Sequence, residues 1–227
     1  MRRTTHVTAQ PSDHPNALHP LLRLALFLSI LALAYFPWLA FPWRMPLVGL
    51  IGLVVIRWET HSFAAAGIRR HSATRSLIWI VVLTAIIIGL VTPVLQPLID
   101  QLTGTKTDYS AYGALRGNIK ASVRLIGLAW LSAALGEELV FRCFLMHQLE
   151  RLLSTFRGGQ ITSSIVGGAI FGLMHAAQGI AGVLLTGIVG SIFCFAYLRS
   201  DRNAWALIVA HGLIDTWGVF TLYKGWY

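Results

Sequence analysis

The stretch Leu125-Ile-Gly-Leu-Ala-Trp-Leu-Ser-Ala-Ala-Leu-Gly-Glu137-Glu138-Leu-Val-Phe-Arg142 decides the fold. Its length and apolar character are those of a membrane-spanning helix, yet it carries two adjacent acids. A charged side chain at the centre of a bilayer costs roughly 2.5–3.5 kcal/mol on insertion scales, so each such residue calls for a partner or a task. Two more apolar segments carry ionisable groups, His175 in one and His211 with Asp215 in another.

Composition agrees with the membrane reading. Of 227 residues, 56% are hydrophobic and 12% charged, where soluble domains carry about 25% charged residues. The net charge of +9 does not point to nucleic acid, because no basic run is interleaved with exposed aromatics. Cys143 and Cys194 fall in or beside apolar segments and give no disulfide framework and no metal-ligand spacing. Residues 1–20 form a polar tail predicted to be disordered. The following apolar stretch is too long for a signal-peptide core and is predicted to be a retained helix.

Apolar runs and their Pro, Gly and charge punctuation mark about seven segments, near 21–41, 43–57, 76–98, 121–147, 161–178, 180–199 and 203–222. The predicted fold is therefore all-α, a polytopic transmembrane helix bundle forming a single domain over 21–227. Basic residues orient it. With the amino end inside, Arg2, Arg3, Arg23, Arg57, Arg69, Arg70, Arg75, Arg151, Arg157, Arg199 and Arg202 face inward. Arg44, Lys106, Arg116, Lys120 and Lys224 face outward, which gives N-in and C-out. Small residues recur at four-residue spacing, Ser164, Gly168 and Gly172 in the fifth segment and Gly182, Thr186 and Gly190 in the sixth, as close helix packing in lipid requires.

Six of the nine acids, Glu59 and Glu150 among them, fall in tails, loops or helix ends where solvation accounts for them. Glu138 and Arg142 are four apart, a spacing suited to an ion pair. Glu137 points about 100° away and has no partner in its own helix. His147 and five other histidines lie in the tail, in loops or near a helix end and are given no role, which leaves His175 and His211. His211 and Asp215 share one face. Three chemistries use such a set. A carboxylate with a histidine activates water for hydrolysis while a second histidine stabilises an oxyanion. Two histidines and a carboxylate also form a catalytic zinc set, here Glu137, His175 and His211, although the His-Glu-x-x-His pattern is absent. Proton-coupled transport is the third, but no inverted repeat is visible.

Glu137-Glu138-x-x-x-Arg142, Phe171-x-x-x-His175 and His211-x-x-x-Asp215, in this order on three helices, resemble the CPBP family. These are the CAAX-prenyl-protease-like and bacteriocin-processing (ABI) membrane proteins, or Rce1-like glutamic intramembrane proteases. The resemblance covers about 121–222, the expected catalytic core. It implies an intramembrane endopeptidase in which Glu137 activates water with help from His175. His211 and residue 215 would form the oxyanion site, with Glu138, Arg142 and Phe171 supporting. The third motif usually ends in Asn. An ionised Asp215 has no hydrogen to donate, so it is either protonated or orients His211. No cofactor is required by this reading, with a divalent metal such as zinc the alternative. The expected partners are a membrane-anchored peptide or protein substrate and the lipid bilayer, in a prokaryotic cytoplasmic membrane. A non-catalytic scaffold or immunity-type protein of the same fold is the competing reading. One geometric condition follows. Glu137 and His175 meet only if the fourth segment continues inward past 147 and the fifth starts later or tilts, and the continuation along His147–Phe156 favours the former.

Overall fold

The computed structural model describes residues 18–154 and 158–226. Most of the expected disordered tail (1–17), Arg157 and Phe156 lie outside the described residues. The described residues form helices and no strand. Helix α1 (Pro20–Tyr35) starts with Pro20 in its first turn, and the His19 side chain accepts from Leu21 N–H. It ends earlier than the expected 21–41 segment. Phe36 precedes Pro37 and is extended, with φ −73° and ψ 130°, because the proline ring clashes with a helical predecessor. At 16 residues, α1 is about 24 Å long, short of a hydrocarbon core of about 30 Å.

The other helices are α2 (Arg44–Thr60), α3 (Ala73–Thr103), α4 (Ile119–Leu152), α5 (Gly159–Met174), α6 (Gly179–Arg199) and α7 (Ala204–Lys224). A tight turn, Ala176–Gln178, leads into α6. Among the described residues, four helices are long and apolar enough to cross a membrane: α3, α4, α6 with its leading turn, and α7. The chain is an integral membrane protein built as a helical bundle. Helix α4 does continue beyond 147, to Leu152, which places Glu137 near its middle.

Helices α3 and α4 are each locally widened. In α3, Pro93 has no N–H to give, and the amide of Gln96 reaches five residues back to Val91 O. Thr92 Oγ1 donates to Ile87 O at 3.0 Å, using the nearby side chain to serve that carbonyl. In α4 the wide winding covers Trp130–Leu145, with Met146 N–H bonded to Phe141 O. Wide turns of this kind recur at functional sites, and this one contains Glu137, Glu138 and Arg142.

Glycines set the helix separations. A Cβ on Gly49 would stand 2.6 Å from Leu139 Cβ, and one on Gly136 2.7 Å from Pro46 N, so α2 and α4 touch backbone to backbone. Between α5 and α6 the same holds at Gly172, where a Cβ would meet Gly187 Cα at 2.8 Å. The expected α5 stripe is the one used. On α6 the contact falls on Val183, Gly187, Gly190 and Ser191, whereas Gly182 faces Gln178 and Thr107.

Solvation does not account for Glu59, nor does a topology signal account for Arg23. Both are buried. Arg23 donates to Glu59 Oε1 and to Gln148 Oε1, each at 2.5 Å, and His147 Nε2 stands 3.2 Å from Glu59 Oε2. The cluster ties α1, α2 and the C-terminal end of α4 together, so His147 has a structural place after all. Glu150 likewise holds Arg202 through both its oxygens, at 3.0 and 2.9 Å.

Candidate active site

Glu138 and Arg142 are the most deeply buried charges of the site, 0% and 1% exposed. Arg142 Nη1 lies 2.9 Å from Glu138 Oε1, the ion pair that their spacing predicted. The same oxygen receives a second contact, from His211 Nδ1 at 2.7 Å. On the other side of that ring, Nε2 stands 3.6 Å from Asp215 Oδ1, an ion-pair distance but too long for a hydrogen bond. Charged groups of α4 and α7 therefore alternate in one row: Arg142, Glu138, His211, Asp215. Gly212, next in α7, lets that helix lie on the face of Trp130, where a Cβ would meet the ring at 2.5 Å. Trp130 Nε1 then donates to Thr216 Oγ1 at 3.1 Å.

Phe171 joins the third helix to this row. The Arg142 guanidinium lies 4.6 Å from the Phe171 ring centre and 5.0 Å from that of Phe193. The His175 ring packs on the other motif partner, with centroids 4.7 Å apart from Phe171. Gly190 makes room for Phe171, since a Cβ there would stand 2.9 Å from its Cδ1. His175 caps the end of α5, and its Nδ1 bonds Phe171 O at 2.9 Å. A carbonyl accepts only, so Nδ1 carries the hydrogen and Nε2 of the neutral ring keeps its lone pair.

Glu137, His175, His211 and Asp215 all line one cavity of about 510 Å³. Arg142 and Phe171 reach its wall, and Glu138 sits behind it. Glu137 differs from its neighbour: among the described residues it makes no hydrogen bond or ion pair. Residues with no sequence motif complete the lining. Tyr112 and Gln178 are bonded to each other at 2.9 Å, Arg44 stands at the start of α2, and Gln96 reaches Tyr109 at 3.0 Å. Tyr112 lies in the connection between α3 and α4, where no apolar period exists to single it out. Burial, with the nearby carboxylates of Asp215 and Glu137, pushes its phenol up to about 12.

The three residues of the zinc set considered from the sequence, Glu137, His175 and His211, all line the cavity, and each histidine keeps Nε2 free of a protein hydrogen bond. Both histidines have committed Nδ1, to Phe171 O and to Glu138. Among the described residues no group of three or more His, Cys, Asp or Glu side chains is placed to hold a metal ion. No step below is routed through one.

Comparison with known families gives one match. Residues 119–217, which run from the first turn of α4 through most of α7, match the family described as type II CAAX prenyl endopeptidase Rce1-like. No curated protein and no solved structure matches the chain. The match contains all three motifs and excludes α1 to α3, Arg44 and Tyr112. The segment that carries Glu137, His175, His211 and Asp215 is thus similar to the type II CAAX prenyl endopeptidase Rce1-like family.

Proposed function

We propose that the protein is an intramembrane endopeptidase that hydrolyses a peptide bond of a membrane-anchored protein or peptide, with Glu137 as the base that activates water. The observation that carries this is the contrast between the two adjacent acids. Glu138 is buried behind the cavity wall with Oε1 held by Arg142 and His211, whereas Glu137 faces the cavity with its carboxylate unengaged.

Glu137 takes a proton from a water molecule held between it and Nε2 of His175. The water oxygen bonds to the scissile carbonyl carbon, and the carbonyl π pair moves onto oxygen. His211, when protonated at Nε2, donates to that oxyanion, and Asp215 beside Nε2 orients the ring. The C–N bond then breaks, its electron pair takes the proton gathered by Glu137, and an acid and an amine leave. The proposed substrate is a flexible stretch of chain at the membrane. N-in, C-out insertion in a prokaryotic cytoplasmic membrane is part of this proposal, its orientation supported by the distribution of Arg and Lys other than the buried Arg23.

Purified protein in detergent, assayed against a library of membrane-anchored peptides, tests the reading. Glu137→Gln is expected to lower kcat by about 10²–10⁴-fold. Equal cleavage by wild type and variant sinks the mechanism. Unchanged cleavage after treatment with a zinc chelator is the expected companion result.

A further inference from the structure

We propose that Tyr112 is a catalytic residue of this site, its phenolic O–H donating to the oxyanion of the tetrahedral intermediate. The inference rests on the hydrolase reading above and adds a residue from outside the motif-bearing segment.

The need for another donor follows from the bonds the other groups already make. An ionised carboxylate accepts only, which removes Glu137 and Asp215 as donors. His175 gives its Nδ1 hydrogen to Phe171 O. His211 gives its own to Glu138. In the neutral state both rings therefore turn lone pairs, not hydrogens, toward the cavity. His211 donates there only after taking a second proton. Tyr112 has no such condition. Gln178 Nε2 donates to its oxygen at 2.9 Å, which occupies a lone pair and leaves the hydroxyl hydrogen free to point into the cavity. About 40% of the residue stays accessible, and it lines that cavity.

The connection that carries Tyr112 is fixed on both sides of the site. Asp108 N–H bonds Gln178 O at 3.0 Å, and Gln178 N–H in turn bonds His175 O at 2.8 Å. At the far end Gly117 N–H bonds Tyr223 O at 3.0 Å, near the end of α7. The phenol is thus held by the same corner that holds His175 and by the helix that holds His211. Glu137 and Asp215 both act on it through their charge, and it stays protonated through the neutral range. A preorganised neutral donor facing carboxylates is arranged for a negative charge that develops late, on a substrate oxygen.

Tyr112→Phe keeps the ring and removes the hydrogen. With the membrane-anchored peptide that wild type cleaves fastest, kcat is expected to fall about 100-fold with KM within about threefold. Gln178→Leu leaves the hydroxyl without its anchor and is expected to lower kcat about tenfold in the wild type, and not at all in the Tyr112→Phe background. This dependence of one loss on the other is what a purely structural tyrosine does not produce. Two results overturn the inference: Tyr112→Phe turning over within about threefold of wild type, or additive losses for the pair. Where wild type cleaves and Glu137→Gln does not, those results refute Tyr112 alone. A wild type that cleaves no peptide overturns the hydrolase reading and this inference with it.

Discussion

Arg142→Met tests whether the site stands on one buried ion pair. The guanidinium and the Glu138 carboxylate are 1% and 0% exposed, and their closest atoms are 2.9 Å apart. Removing one member of a buried pair costs about 3–5 kcal/mol, mostly because the other charge stays behind undischarged. His211 Nδ1 remains 2.7 Å from Glu138 and retains part of the compensation. Loss of the guanidinium from between Phe171 and Phe193 acts in the other direction, by about 2 kcal/mol for a desolvated cation over aromatic rings. The expected cost is therefore about 4 kcal/mol. Glu138→Gln is expected to cost about 3 kcal/mol, because it leaves the buried Arg142 guanidinium without its anion. The double variant leaves no buried charge without a partner and is expected to cost less than the sum of the two, by about 2–3 kcal/mol.

Equilibrium unfolding in mixed micelles, run on wild type, both singles and the double, measures that coupling. The exposed pair Arg69 and Asp201 is the internal control, with an expected coupling under about 1 kcal/mol. A coupling at Glu138 and Arg142 no larger than the control refutes the reasoning, since a pair that weak would not fix His211 and Phe171 in place.

Two further predictions concern groups off the motif. Glu59→Gln leaves Arg23 buried without its anion and is expected to lower stability by about 3–5 kcal/mol; because none of Arg23, Glu59, His147 and Gln148 lines the cavity, KM and kcat of the folded protein should stay at wild-type values, checked by unfolding and cleavage on one preparation. For Tyr112, a folded-state pKa raised to about 12 from an ordinary value of about 10 means that its contribution is intact below pH 10 and lost as pH rises through 12. Thermal melts between pH 9 and 12 should show a decline that Tyr112→Phe reduces, and identical declines for both proteins count against the raised value.

What could be read in the sequence was whatever lies within one helical turn. The i,i+4 pairs Glu138–Arg142 and His211–Asp215 were visible as spacings, and both pairs face each other in the structure. Apolar length marked the helices because lipid demands it. Contacts between distant positions had no such signature. Glu138 and His211 are 73 positions apart, and Arg23 and Glu59 are 36 apart. Glu138 was therefore read mainly as a partner of Arg142, and Glu59 as a solvated acid. The α6 face is only partly the expected one, with Gly190 on it and Gly182 off it, because small residues recur on two sides of that helix and only the neighbour decides which side is used. Phe36-Pro37 was legible in principle as a helix end, but apolar continuity through Trp38 to Phe41 masked it.

The division of labour between Glu137 and Glu138 follows from what lipid does to helix association. Apolar side chains gain little by leaving lipid for another helix, so helices in a bilayer are held by close backbone approach and polar contacts. Gly136 supplies the first against α2, and Glu138 supplies the second against α7. Both flank Glu137. A single buried carboxylate, by holding His211 directly and Phe171 through Arg142, fixes the two other helices of the site around its neighbour. A carboxylate packed between helices behind the cavity wall does not reach water in that cavity, which is why the holding group and the reacting group must be different residues. Adjacency on a widened turn lets one point into the packed core while the other opens on the cavity. Lengthening the distance between them, by inserting one alanine after Glu137, would keep both acids and the net charge yet turn Glu138 and Arg142 off their partners. The expected result is loss of cleavage together with loss of the Glu138–His211 coupling, and retention of either one would show that the two acids work independently.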